Sequence, residues 1–367
     1  MALRTLSGKH ADPRKGRGAG INPEGRFEQS GREAFDDGWA TDSADEPVAL
    51  RTVVTDEHAK SILAHNDSPD IPFTQSINPY QGCEHGCIYC YARPSHAYRN
   101  LSPGIDFETR IFARTNAAEL LGKELSRPGY RCALIALGAN TDPYQPAERG
   151  RRITRGILEV CAAFNQPVGI VTKNALVERD IDILAPMAQK GLAEVFVSVT
   201  TLDHDLARRM EPRCTAPARR LAAVRALAAA GIPAGVMVAP VIPFLNDHEI
   251  EAIIEAAAAH GAQRAGYVLL RLPYEVKTLF RDWLQRHYPL KAAHVMSRVQ
   301  AMRDGRDNDP RFGSRMRGAG EFAALLKQRF DVACRRAGLN QARRGEGAVR
   351  NTTLFRVPDA ARQGSLF

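Results

Sequence analysis

A chain of 367 residues, 44% hydrophobic and 25% charged, has enough apolar material for one large domain with tails or for two domains. Its formal charge of +9 favours acidic partners, nucleic acid among them, and seven cysteines without a disulfide-like pattern point to a reducing, cytoplasmic setting. No basic-then-apolar leader opens the sequence, and the uncharged stretch 226–246 is interrupted by Gly231, Pro233, Gly235, Pro240 and Pro243, so no membrane span is expected.

Residues 1–55 are rich in Gly, Arg, Asp and Ser and poor in branched apolar residues, which predicts a largely disordered or draped N-terminal tail. Residues 56–275 alternate between short apolar runs and helical periodicity. In chain order the reading is strand Thr74–Ile77, edge strand or extended segment Ile105–Ala113, helix Ala117–Leu125, strand Cys132–Leu137 and helix Arg151–Phe164. Strand Val168–Thr172, helix Asp180–Lys190, strand Glu194–Val199 and helix Pro217–Ala230 follow, the last with Thr215 as cap and Gly231 as stop. Strand Ala234–Ala239, helix Asp247–His260 and strand Ala265–Leu270 complete the series. Six strands alternating with helices imply parallel βαβ units, and the fold class expected is α/β, a partial (β/α)6 TIM-type barrel. Residues 276–340 read as a basic helical C-terminal extension with helices Thr278–Tyr288, Ala293–Arg303 and Glu321–Ala337; residues 341–367 read as a flexible tail.

The chemistry is concentrated in Cys83-Glu84-His85-Gly86-Cys87-Ile88-Tyr89-Cys90, three thiols spaced C-x3-C-x2-C on one loop. Four cysteine sulfurs saturate a four-iron cluster, so three leave one iron open to an external ligand. A structural zinc site draws on two separate pairs, and His85 sits awkwardly between two ligating cysteines for a tetrahedral site. An electron carrier would need a fourth cysteine, whereas Cys132, Cys161, Cys214 and Cys334 each stand alone.

The run Asn78-Pro79-Tyr80-Gln81-Gly82-Cys83 through Cys90-Tyr91-Ala92-Arg93 resembles the signature of the radical SAM enzymes, and more narrowly of their spore-photolyase-like branch. The resemblance implies a [4Fe-4S] cluster on Cys83, Cys87 and Cys90, S-adenosyl-L-methionine on the open iron, and a reducing partner of flavodoxin or ferredoxin type. It also implies cleavage to a 5′-deoxyadenosyl radical that takes hydrogen from a substrate.

Parallel barrels place their active sites at the C-terminal strand ends, where Gly138 to Pro146, Thr172-Lys173-Asn174, Ser198, Thr200, Thr201, Ala239-Pro240 and Arg271 fall. An adenosyl-sulfonium ligand needs a cation or hydroxyl for its carboxylate, which Lys173 and Ser198 offer. It needs acceptors for its ammonium and ribose, for which Thr141 and Asp142 serve, and a surface for adenine, which Tyr89 and the segment at Ala239 supply. The branch places a hydroxyl–acid pair, a lysine and a serine at positions matching Thr141, Asp142, Lys173 and Ser198.

Glu211-Pro212-Arg213 resembles a Glu-Pro stretch of the same branch, with Arg213 either gripping an anion or paired locally. One departure concerns the thiol that spore photolyases carry ahead of the hydroxyl–acid pair. Gly138-Ala139-Asn140 stands there, and Cys132 belongs to the opposite strand end, which leaves Tyr91, Tyr98 and Tyr144 as other hydrogen donors. The terminal Gln363-Gly364-Ser365-Leu366-Phe367 is similar to the pentapeptides that hook onto the bacterial sliding clamp. The function expected is a radical SAM enzyme acting on nucleic acid in repair or modification. The rivals are the same chemistry on a small molecule or peptide, and a non-enzymatic iron–sulfur protein that binds nucleic acid.

Overall fold

Val168 and Ile170, Val195 and Val197, and Val236 and Val238 are all buried from solvent, as residues of central parallel strands must be. In the computed structural model of the protein, which describes residues 16–27, 50–341 and 351–358, they lie in adjacent strands of one sheet. The strands are β1 (Val53–Glu57), β2 (Leu63–His65), β3 (Gln75–Ile77), β4 (Tyr80–Gln81), β5 (Arg110–Arg114), β6 (Ile135–Leu137), β7 (Val168–Thr172), β8 (Ala193–Ser198), β9 (Ala234–Val241) and β10 (Arg264–Leu269). The helices are α1 (Ile105–Thr109), α2 (Ala117–Leu125), α3 (Glu148–Arg151), α4 (Ile153–Phe164), α5 (Ile181–Gln189), α6 (His204–Met210), α7 (Pro217–Ala229) and α8 (Ile250–Ala259), followed by α9 (Val276–His287), α10 (Pro289–Ala301) and α11 (Glu321–Arg336).

The main sheet runs β10-β9-β8-β7-β6-β3-β2. Its six strands from β3 to β10 pair in parallel, and β2 is antiparallel on the β3 edge. This is the expected partial TIM barrel, with strands in sequence order and helices between them. Helix-to-strand corners repeat one device: Gly231 and Gly261 take φ of +74° and +88°, and the amides of Ile232 and Ala262 bond back to Leu227 O and Ala257 O. A smaller sheet, β1-β5-β4, flanks the cysteine loop.

Two expectations change, and the described part of the N-terminal tail takes the draped one of its two expected states. Ile105–Ala113 is not one extended segment: the Asp106 carboxylate accepts from Ser102 N, one helical turn forms at 105–109, and the strand starts at Arg110. Within the expected N-terminal tail, residues 16–27 drape against the cysteine loop, where Gly18 and Ala19 donate their amides to Glu108 at 3.0 and 2.9 Å. Within the expected flexible C-terminal tail, residues 351–358 pack: Phe355 lies 5.3 Å from the Tyr130 ring and Arg356 N bonds Phe164 O. The tail residues Gln363–Phe367 lie outside the described residues. Among the described residues no helix is long and apolar enough to cross a membrane.

The C-terminal extension is not set apart from the barrel. Leu326, Phe330 and Ala333 of α11 belong to the same buried cluster as the strands, and Arg329 forks onto Glu251 of α8 at 2.8 and 2.7 Å. The amide of Leu269 at the end of β10 donates to Met316 O, so the extension also closes the last barrel edge.

Candidate active site

The cysteine loop follows β4 at the C-terminal edge of the main sheet. Cys83 and Cys87 are buried, Cys90 is half-buried, and all three are free thiols. Gly86 N bonds Cys83 O at 3.4 Å and Cys90 N bonds Cys87 O at 3.2 Å, folding the loop into consecutive turns. Gly86 permits this: its φ is +67°, and a Cβ there would stand 2.8 Å from Glu108 Oε2. The fully buried Arg93 clamps the loop, donating to Cys87 O at 2.9 Å, Gly86 O at 3.1 Å, Gly104 O at 2.9 Å and Glu108 Oε1 at 2.5 Å.

Burial, and then the negative charge of Cys87 and Cys83, push the Cys90 thiol up to about 12. Thiols gathered this way are stabilised as thiolates by a cationic metal centre, which deprotonates its sulfur ligands. The donor set fits an iron–sulfur cluster that Cys83, Cys87 and Cys90 would hold. Among the described residues no three His, Cys, Asp or Glu side chains are gathered to hold a single ion. His85 is engaged at both ring nitrogens, with Nδ1 3.3 Å from Asp142 Oδ2 and Nε2 3.3 Å from the Asn174 amide nitrogen, so it is not poised as a fourth ligand.

Segment 140–145 is laced to the approach of the cysteine loop. Asn140 N donates to Asn78 Oδ1 at 3.1 Å, Thr141 Oγ1 to Tyr80 O at 2.7 Å, Gln145 Nε2 to Gly82 O at 3.1 Å, and Glu84 N to Gln145 Oε1 at 3.0 Å. Asp142 receives Thr172 Oγ1 at 2.7 Å, Tyr144 N at 2.8 Å and Lys173 N at 2.7 Å besides His85. Burial alone would raise its carboxyl, but His85 and these donors hold it at about 2. Thr141 and Asp142 therefore stand where the barrel rule put them, with their polar atoms engaged inside the protein.

A buried network meets Cys87 from the β8 side. Glu211 is 2% exposed and accepts from Thr200 Oγ1 at 2.6 Å, from the Tyr89 hydroxyl and from the Arg220 guanidinium. Arg220, 1% exposed on α7, also donates to Ser198 O at 3.0 Å and Thr215 O at 2.5 Å. Burial pulls the Glu211 carboxyl upward, yet Arg220 and Lys173 bring it down to about 2. Lys173 Nζ stands 5.8 Å from the Tyr89 ring centroid; burial opposes its charge, and Glu211 and Cys87 more than restore it. Ala239 O accepts from Thr200 Oγ1 at 3.2 Å, next to the cis Ala239-Pro240 bond. Tyr89, Lys173, Ser198 and Ala239 are thus linked through Thr200, Glu211 and Arg220.

The sequence singles out the Glu211-Pro212-Arg213 stretch but gives a role only to Arg213, and it misses Arg220 and Cys214 as neighbours of this network. Arg213 is spent locally, on Glu84 at 3.1 Å and Gly16 O at 3.2 Å, and the neighbouring Glu211 is the buried member of the pair. Cys214 Sγ lies 3.6 Å from Cys87 Sγ. A side chain cannot stand at Gly138, where φ is +90° and a Cβ would meet Val171 O at 2.1 Å. Cys132 sits at the opposite strand end, its Sγ 3.4 Å from Gln166 Oε1 ahead of β7. Of the tyrosines, Tyr91 is at the rim beside Arg271 and donates to Ala139 O, Tyr98 is exposed against Phe27, and Tyr144 is buried on Asp180.

The radical SAM superfamily model matches residues 77–257. An uncharacterized protein of Mycobacterium tuberculosis is 40% identical over 221 residues, covering 60% of this chain and 65% of that protein. The chain thus spans just under two thirds of that relative's length. An uncharacterized protein of Methanocaldococcus jannaschii is 26% identical over 213 residues, covering 58% of this chain and 76% of the relative. Among solved structures, a spore photoproduct lyase mutant matches with a TM-score of 0.55 over 78% of this chain and 80% of its own, at 16% identity, a likeness of fold.

Proposed function

We propose, on the match of residues 77–257 to the radical SAM superfamily model, that the protein is an enzyme that uses S-adenosylmethionine to take a hydrogen atom from nucleic acid. When bound, the cluster would supply the one-electron reduction that cleaves the carbon–sulfur bond of the cofactor's sulfonium. Cys83, Cys87 and Cys90 would hold it. Lys173, kept charged by Glu211, is the cation for the cofactor carboxylate, with Ser198 beside it on β8. Tyr89 and the Ala239 strand end would flank the adenosine. Thr141 and Asp142 act by fixing the cysteine loop and the start of the Lys173 segment. The observation that carries the reading is one buried network at the strand ends beside Cys87, in which Lys173 Nζ stands 5.8 Å from the Tyr89 ring centroid and the Tyr89 hydroxyl donates to Glu211.

The substrate class rests on charge and shape. A cleft of about 680 Å³ opens at the end of β10, lined by Arg271, Tyr274, Lys277, Arg281 and Arg315 among others. Tyr274 is exposed, and among the described residues the buried Nε of Arg271 has no hydrogen-bond partner. Arginines interleaved with exposed aromatic rings suit a phosphodiester backbone and its bases. The Arg271 guanidinium lies 5.5 Å from the Tyr91 ring centroid, and Tyr91 directly follows Cys90, so the cleft adjoins the cysteine loop. A solved spore photoproduct lyase was complexed with a dinucleoside spore photoproduct, which supports the same class. The test is anaerobic turnover with deuterated oligonucleotides. Deuterium in 5′-deoxyadenosine is expected; 5′-deoxyadenosine that forms without deuterium from DNA or RNA would overturn the substrate class in favour of a small molecule or peptide.

A further inference from the structure

Cys214 lies outside the cysteine motif and outside every role assigned above, yet its Sγ stands 3.6 Å from that of Cys87. The approach is built by the backbone. Ile88 N donates to Met210 O at 3.0 Å and Arg213 N donates to His85 O at 3.3 Å, stitching segment 210–213 along the cysteine loop. Arg213 adds an ion pair to Glu84 at 3.1 Å, and Cys214 N bonds Glu211 O at 3.1 Å, closing the turn that presents the thiol. Beyond it, Thr215 Oγ1 donates to Asn174 Oδ1 at 3.1 Å, anchoring the other side of the turn to the Lys173 segment. The other thiols are elsewhere: Cys161 and Cys334 are in the barrel core, and Cys132 is at the far strand end.

In the metal-free protein either thiol can donate across this contact. Once Cys87 ligates iron it has no proton left, so Cys214 is the one remaining S–H between the two sulfurs. Hydrogen bonds to ligand sulfurs withdraw negative charge from the cluster and raise its reduction potential.

We propose that Cys214 is a positioning residue that donates an S–H···S hydrogen bond to the Cys87 thiolate and so makes the cluster easier to reduce. The inference rests on the cluster reading of Cys83, Cys87 and Cys90. No electron or atom is transferred by Cys214.

The experiment is an EPR-monitored redox titration of the reconstituted full-length protein, with iron content measured on every sample. Cys214→Ala is expected to keep its iron and to shift the reduction equilibrium at least tenfold toward the oxidised form, about 59 mV for a one-electron couple. Cys214→Ser, which retains a donor, is expected to stay within threefold of wild type. In D2O, the reduced wild-type cluster should show an exchangeable deuteron coupling that Cys214→Ala lacks. An unchanged equilibrium and coupling in an iron-loaded Cys214→Ala overturns this proposal alone. Loss of iron from Cys214→Ala also overturns it, in favour of a ligand or structural role. A wild-type protein that takes up no cluster overturns both this proposal and the reading beneath it.

Discussion

Glu211 joins the buried network beside Cys87 to three separate parts of the chain. It is buried against Arg220, which is itself buried, and it takes hydrogen bonds from Thr200 and Tyr89 while sustaining the charge of Lys173. Replacing one member of such a pair leaves the other charge uncompensated away from water, which costs about 3–5 kcal/mol. Glu211→Gln keeps the shape and the acceptor for Thr200, so the loss isolates the charge on Arg220. Urea unfolding of the metal-free protein should report a destabilisation of that order; a change within about 0.5 kcal/mol, ordinary for a surface site, would contradict the network. The sequence shows a Glu-Pro-Arg loop at this place but not which residue turns inward. Glu211's partners come from the cysteine loop, from the residues after β8 and from α7, and no local spacing brings those together. By contrast, the gathering of the three cysteines on one loop was legible at once, because their spacing alone sets it.

At the scale of the element, the segment Arg93–Arg99 that follows the cysteines combines a buried clamp with a buried titratable ring. His96 is fully buried, its Nε2 3.0 Å from Arg110 O and its edge packed on Phe107 at 5.3 Å between centroids. Burial lowers its pKa to about 4, and the Arg110 carbonyl only partly restores it. The folded value lies below the unfolded one, so the unfolded chain takes up a proton that the folded site refuses. The neutral ring's contribution is fully present above about pH 6.5, falls as pH drops toward 4 and levels off below that, a total of roughly 3 kcal/mol. His96→Gln should flatten that part of the stability profile between pH 7 and 4.5; an equal slope in both proteins would contradict the burial of a neutral ring. The same region shows where sequence reading stops. The six barrel strands were legible because buried apolar runs alternate with helical periods and glycine stops. Ile105–Ala113 was not, since its alternation comes from one helical turn joined to a strand, held by the Asp106 side chain. β1, with sequence Val-Val-Thr-Asp-Glu, has too little apolar patterning to announce a strand, and it forms by pairing with β5.

At the scale of the whole molecule, three separated stretches of chain converge on the strand-end face. The N-terminal residues 16–27 brace the cysteine loop through Glu108, the 210–215 turn closes on it from the β8 side, and the extension supplies Arg315 and the cleft beside Arg271. Because α11 shares the barrel core, the extension contributes to stability as well as to the cleft. The claim that unites these parts is that Cys83, Cys87 and Cys90 hold a cluster that cleaves S-adenosylmethionine. Its most direct measurement is anaerobic reconstitution with iron and sulfide, reduction with dithionite in the presence of S-adenosylmethionine, and quantification of 5′-deoxyadenosine. The wild-type protein should bind about four irons per chain and form 5′-deoxyadenosine, and Cys87→Ala should lose both. A wild-type protein that carries the cluster and yields no 5′-deoxyadenosine, or a Cys87→Ala variant as active as wild type, would contradict the account.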